Sequence, residues 1–138
     1  MGASWLFVMG WTKPGSDGRT EILLAPSEQD QIPAEMRFLL KSVDGLLRGL
    51  AELELDRPIL ASRAREVDTK MASDVDPAIM VKLPLPFKQP GMSIHKDMDA
   101  VADIIAEGAT APQILQRLSD ITARCKACHE MYRLGEAR

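Results

Sequence analysis

From Asp30 onward the apolar residues of this chain recur at three- and four-residue intervals, and no stretch sustains a two-residue alternation. That period restricts the chain to helices that bury a stripe against other helices. A first helix is predicted over residues 30–55, with Asp30 as N-cap and Pro33 tolerated in the first turn. At about 100° per residue, Met36, Leu40, Val43, Leu47 and Leu50 share one stripe, widened by Leu39 and Leu46. Arg37, Lys41, Asp44 and Arg48 fall on the other side. A second helix over residues 56–72 starts at Asp56 and Pro58 and turns Ile59, Leu60, Ala64, Val67 and Met71 inward.

Pro77, Pro84, Pro86 and Pro90 then predict a long connector over residues 74–91 with no regular helix. A third helix is expected over residues 93–108, with Met98, Val101, Ala102 and Ile105 inward and Gly108 as its stop. The fourth begins at Thr110, at capping-box spacing from Gln113, and runs to Leu134. The expected architecture is all-α: an antiparallel four-helix bundle with an irregular N-terminal strap and one long Pro-rich crossover loop. Residues 1–29 form the N-terminal extension of this reading and residues 30–138 the bundle.

A length of 138 residues suits one domain. The net charge of −3 argues against a basic nucleic-acid footprint. No apolar run reaches the roughly 20 residues of a transmembrane segment. No Lys or Arg precedes Lys13, and residues 5–11 are too short and aromatic for an evident export signal. Gly10, Pro14, Gly15 and Gly18 make the passage that follows turn-rich. This start reads as a processed or trimmed terminus, with a native cytosolic one as the alternative. The absence of a Ser–His–Asp set, a phosphate loop or a paired-carboxylate face points to a cofactor holder rather than an enzyme.

Both cysteines and one of the two histidines fall within Cys125-Lys126-Ala127-Cys128-His129. On a helix these three side chains share the face of Ile114, Leu115, Leu118, Ile121 and Tyr132, while Gln116, Asp120, Ala123, Ala127 and Glu130 point away. Two thiols at this spacing can add to the two vinyl groups of a haem, and the adjacent imidazole can then coordinate iron. C-x-x-C-H is the attachment motif for c-type haem. A thioredoxin-like dithiol sits beside a βαβ pattern, which is not seen here. A structural zinc site needs four ligands, and only the distant His95 could supplement the cluster. A helical dithiol protein without haem stays open as an alternative.

The closing stretch from Cys125 through Met131-Tyr132-Arg133 resembles the C-x-A-C-H-x-x-Y-R signature of the class II cytochromes c, the cytochrome c′ and c-556 group. The resemblance covers the last helix closely and the four-helix outline loosely, and residues 1–26 have no counterpart in it. It implies one covalently bound haem c held by Cys125 and Cys128, with His129 as proximal iron ligand. It also implies a periplasmic electron-transfer protein working with unidentified redox partner proteins. In the c-556-like branch a Met of the first helix gives low-spin His/Met iron. In the cytochrome c′ branch the sixth position is open and small gases such as NO and CO bind. Met36 is the candidate distal ligand here, with Met9, Met71, Met80, Met92, Met98 or His95 as substitutes and a core-filling role as the bland reading. Arg37 directly after Met36 departs from the family pattern, in which an Arg usually precedes this region, and leaves the propionate partner undefined.

Other residues are assigned around that expectation. Tyr132 and Phe87 are candidates for haem packing, Phe87 from a Leu83-Pro84-Leu85-Pro86-Phe87 run that could also be a docking segment. His95 is a candidate for a propionate or loop contact. Arg124 and Lys126 flank the motif and would form either a basic rim for an acidic redox partner or a plain solvated face. Gly45 and Gly49 on the outer side of the first helix suggest close approach across a homodimer or contact with the N-terminal strap.

Overall fold

A computed structural model of the chain describes residues 5, 8–74 and 76–137, without the side chains of residues 68–74. The elements run β1 (Thr12–Pro14), β2 (Thr20–Leu24), α1 (Gln31–Leu50), α2 (Arg57–Asp74), α3 (Pro77–Lys82), α4 (Leu85–Ala106), α5 (Ala111–Met131) and β3 (Tyr132–Glu136). The chain is mostly helical, with a small three-stranded sheet beside the helices.

The long helices meet on one apolar core. Leu46 of α1, Leu60, Ala64 and Val67 of α2, Met98, Val101, Ala102 and Ile105 of α4, and Ile114, Leu118 and Ile121 of α5 are buried together. α2 packs most extensively on α4, α1 on α2 and α5 on α4, whereas α1 and α5 touch only slightly. The third predicted stripe, Met98, Val101, Ala102 and Ile105, is thus buried throughout, and the fourth is buried at its centre. Leu40 and Leu47 of α1, Ile59 of α2 and Leu115 of α5 are exposed, so on these three helices the inward face is narrower than the apolar stripe. On α1 the buried line is rotated toward Ile32, Leu39, Val43 and Leu46. The side chain of Met71 lies outside the described residues.

Helix boundaries show which signals acted. The Thr110 hydroxyl accepts from Gln113 N at 3.3 Å while the Gln113 side chain accepts from Thr110 N at 2.8 Å, so the capping box is formed. Asp56 accepts from Ile59 N at 3.2 Å. Asp30 precedes α1 without making a side-chain cap. Gly108 stops α4 in the left-handed region, at φ +92°.

The crossover is not the irregular loop expected from four prolines. Each of the first three falls where a helix tolerates it. Pro77 opens α3 behind Asp76, which accepts from Ala78 N at 2.9 Å. Pro84 immediately precedes α4, and Pro86 lies in its first turn, where a missing N–H costs nothing. Only Pro90 sits inside the helix and removes a donor from the ladder. α4 therefore starts at Leu85, not at Ser93.

The N-terminal strap is a hairpin rather than an irregular segment. β1 and β2 pair antiparallel across a turn closed by Gly15 N to Arg19 O at 2.7 Å. β2 then pairs in parallel with β3, placing Thr20 opposite Tyr132 and Leu24 opposite Glu136. The last helix accordingly ends at Met131, and the residues assigned to its final turn, through Leu134, are strand. Ile22, Leu24, Ile32, Ile79 and Leu83 make a second apolar cluster against the sheet, with Met36, Met80, Phe87, Tyr132 and Leu134 half-buried around it.

Gly45 and Gly49 do not meet the N-terminal strap but face α2. A Cβ on Gly49 would stand 2.2 Å from Leu60 Cδ2, and Arg63 lies over Gly45, donating to its carbonyl at 3.1 Å. The two glycines let α1 approach α2 within the chain.

Candidate functional site

Cys125, Cys128 and His129 lie in the last two turns of α5, immediately before the chain turns extended at Tyr132. Burial falls away along the inward line of this helix. Leu118 and Ile121 are closed off, Cys125 and Cys128 are half-buried, and His129 is exposed. At about 100° per residue, His129 is only some 40° from the line through Cys125. It thus stands at the edge of the inward line, on the side where Leu115 and Thr122 are also exposed.

Both cysteines are free thiols. Burial pushes the Cys125 thiol up, and burial together with the neighbouring Cys125 pushes Cys128 up. This is the opposite of the depressed pKa of a reactive redox dithiol. Among the described residues, no three His, Cys, Asp or Glu side chains gather as a cage for a bare metal ion. The half-buried thiols stand one turn apart on a single face and the imidazole beside them is exposed, a spacing compatible with the two thioether bonds and iron ligand of a haem c.

Tyr132 follows at the junction with β3. Burial raises its phenol, with a further push from Cys128. Its ring meets Phe87 edge-on, with centroids 5.6 Å apart. An edge-to-face pair of this kind contributes about 0.5–1.5 kcal/mol beyond area burial. The two aromatics expected near a cofactor therefore touch each other beside the motif. Cys125 packs against the main helix core, whereas Met36 borders the same second cluster as Tyr132.

The other methionines separate by position. Met80 shares that cluster. Met98 is fully enclosed in the main core, and Met9, Met92 and Met131 are exposed. His95 is half-buried on α4, next to Ile94. The surroundings of the motif do not form the basic rim considered from sequence. The Arg124 guanidinium is held on α4 by Asp97 and by the Ser93 hydroxyl, and Lys126 lies 4.0 Å from Glu130. Both cations have acidic neighbours, because the helix face next to the motif carries carboxylates as well as bases.

One contact at the motif had no expectation from sequence. Arg19, in the hairpin turn, donates through Nη1 to the carbonyls of His129 at 3.2 Å and Tyr132 at 3.4 Å. Pro14-Gly15 and Asp17-Gly18 signal a turn, but nothing local signals that the turn meets α5 from more than a hundred residues away. An open groove of about 500 Å³ lies at the opposite end of α5, lined by Ile104, Gly108, Ala109, Gln113 and Arg117, far along the helix from the cysteines.

No helix among the described residues is long and apolar enough to cross a membrane. Comparison of the chain with protein-family models, with curated proteins and with solved structures finds no match.

Proposed function

We propose that this chain is a monohaem c-type cytochrome of a four-helix bundle type, acting in periplasmic electron transfer. Cys125 and Cys128 hold the haem by thioether bonds, and His129 is the proximal iron ligand. The observation that carries the reading is the uncovered inward end of α5: two free, half-buried thiols and an exposed imidazole in C-x-x-C-H order. When bound, the haem supplies reversible one-electron chemistry; the protein sets its potential through ligand, burial and hydrogen bonding.

Met36 is the proposed sixth ligand, because it borders the same apolar cluster as Tyr132, which follows the motif in sequence. A thioether opposite the imidazole favours the ferrous state and raises the potential. Met80 occupies the same cluster and is the residue to compare it with. Phe87 and Tyr132 would line the haem edge. His95 is the proposed propionate or loop contact.

The test is expression with the c-type maturation machinery, followed by mass spectrometry and by absorption spectra of ferric and ferrous protein with and without carbon monoxide. The expected result is one covalent haem, lost in Cys125→Ser and Cys128→Ser, with low-spin bands indifferent to carbon monoxide. Met36→Ala should then open the iron to carbon monoxide. Broad high-spin bands that shift at once in the parent protein would replace electron transfer by five-coordinate gas binding. A chain that emerges without haem would leave a helical dithiol protein and overturn the proposal.

A further inference from the structure

We propose that Arg19 is a positioning residue for His129: the N-terminal hairpin pins the end of α5 and so sets the direction from which the imidazole meets the iron. The inference rests on the haem reading above and adds a role for a part of the chain outside the C-terminal motif.

The last carbonyls of any helix lack partners within it. In α5 those carbonyls belong to the motif itself. Tyr132 N donates back to the Cys128 carbonyl, and Arg19 Nη1 supplies the carbonyls of His129 and Tyr132. A cation at this end also opposes the negative pole of the helix. The guanidinium is held from behind: Arg19 Nε donates to Asp17 Oδ2 at 2.8 Å, Nη2 lies 2.7 Å from the same oxygen, and Arg19 N donates to Oδ1 at 3.1 Å.

The sheet fixes the distance. Thr20, the next residue, pairs with Tyr132, so the parallel register brings Arg19 to the helix end whenever the sheet forms. Once the two thioethers tie Cys125 and Cys128 to the cofactor, pinning the His129 main chain leaves mainly its side-chain torsions to decide the imidazole plane. A lysine could not replace this fork, since a single ammonium cannot grip Asp17 and reach two carbonyls in the same geometry.

Arg57 provides an internal control. Its Nη1 donates to the carbonyls of Ile105 and Ala109 at 3.1 and 2.8 Å, capping α4 in the same manner at the other end of the molecule. The experiment compares Arg19→Gln, Arg19→Lys and Arg57→Gln in the haem-loaded protein. The readout is the pattern of haem-methyl resonances in the ferric state, which follows the orientation of the axial imidazole. Both Arg19 variants should retain covalent haem and show a shifted pattern, whereas Arg57→Gln should lower the unfolding temperature and leave the pattern alone. Arg19 variants whose pattern matches the parent, or moves no more than that of Arg57→Gln, overturn the positioning role while the cytochrome reading stands.

A second readout needs no haem. In the unloaded chain, amide exchange at Tyr132 should rise severalfold in Arg19→Gln, and unchanged exchange there would overturn the claim that Arg19 holds the helix end. A parent protein that takes up no haem would instead remove the cytochrome reading, and the proposed role with it.

Discussion

The two apolar clusters of this molecule are built in different ways. The core between α1, α2, α4 and α5 is drawn from long helices and is the larger: Ala64, Val67, Met98, Ile105 and Ile114 have no exposed surface, and half-buried residues such as Phe38, Leu39 and Cys125 pack around it. The second cluster is assembled from strands, a six-residue helix and helix ends, and half of it is only partly covered: Met36, Met80, Phe87, Tyr132 and Leu134. Around it the chain relies on directional contacts. Lys82 meets Glu28 at 2.7 Å, Arg19 is gripped by Asp17, and β3 is hydrogen-bonded to β2. The long helices fix the shape, with Cys125 packed at the edge of their core, and the second cluster joins the sheet to the helix ends.

The sharpest way to break this contrast is to truncate one residue in each region. Leu118→Ala removes a side chain that is 2% exposed and should cost about 2–5 kcal/mol in urea denaturation. Met36→Ala, in the half-covered cluster, should cost about 1 kcal/mol in the unloaded chain, because less area returns to water. Equal losses would mean that the two regions are equally closed.

A smaller effect separates the two glycines of α1. At Gly45 a Cβ meets Arg63 Cδ at 3.5 Å, an ordinary contact, so Gly45→Ala should stabilise by about 1 kcal/mol through helix propensity. At Gly49 the same methyl would stand 2.2 Å from Leu60 Cδ2, and Leu60 is enclosed in the core and cannot retreat. Overpacking of about 1–3 kcal/mol should outweigh the propensity gain there. Opposite signs in thermal unfolding are expected, and two gains of the same size would show that α1 and α2 are not in close contact at Gly49.

The same division explains what could be read from the sequence. The inward residues of α4 were legible, as were the centre of the α5 stripe, the Thr110–Gln113 box and the Gly108 stop, because a 3.6-residue period and a capping motif are local signals. The placing of Cys125, Cys128 and His129 on one helix was legible for the same reason. The second cluster was not. Ile22 and Leu24 join Leu134 through a parallel pairing between the two ends of the chain, and no local pattern encodes that register. The proline segment misled because a proline count carries no position: the penalty depends on whether the ring falls in a first turn, as Pro86 does, or inside the ladder, as Pro90 does. Leu40 and Leu47 misled because amphipathic width exceeds what the neighbouring helices cover.

Acid should separate the two regions most gently. The hydrogen bond from Lys82, helped by Ala25 N, lowers the Glu28 carboxyl below its ordinary value. Hydrogen bonds from the Arg19 side chain and backbone do the same for Asp17, with a smaller pull from Arg133. Glu21 lies between Lys13 at 3.8 Å and Arg133 at 3.9 Å in the same sheet. A carboxyl whose folded pKa is depressed contributes stability above its unfolded pKa, about 4, and loses it as pH falls through the folded value. The buried residues of the helix core are apolar and carry no such term. As pH drops below about 4, amides of β2 and β3 should therefore lose exchange protection before those of α4 around Met98 and Val101. Lys82→Met should flatten the part of this loss that belongs to Glu28 and leave the part that belongs to Asp17. If β2 and α4 instead lose protection together at every pH, the sheet end and the helix core open as one unit, and the polar contacts at the motif end add no separate stability of their own.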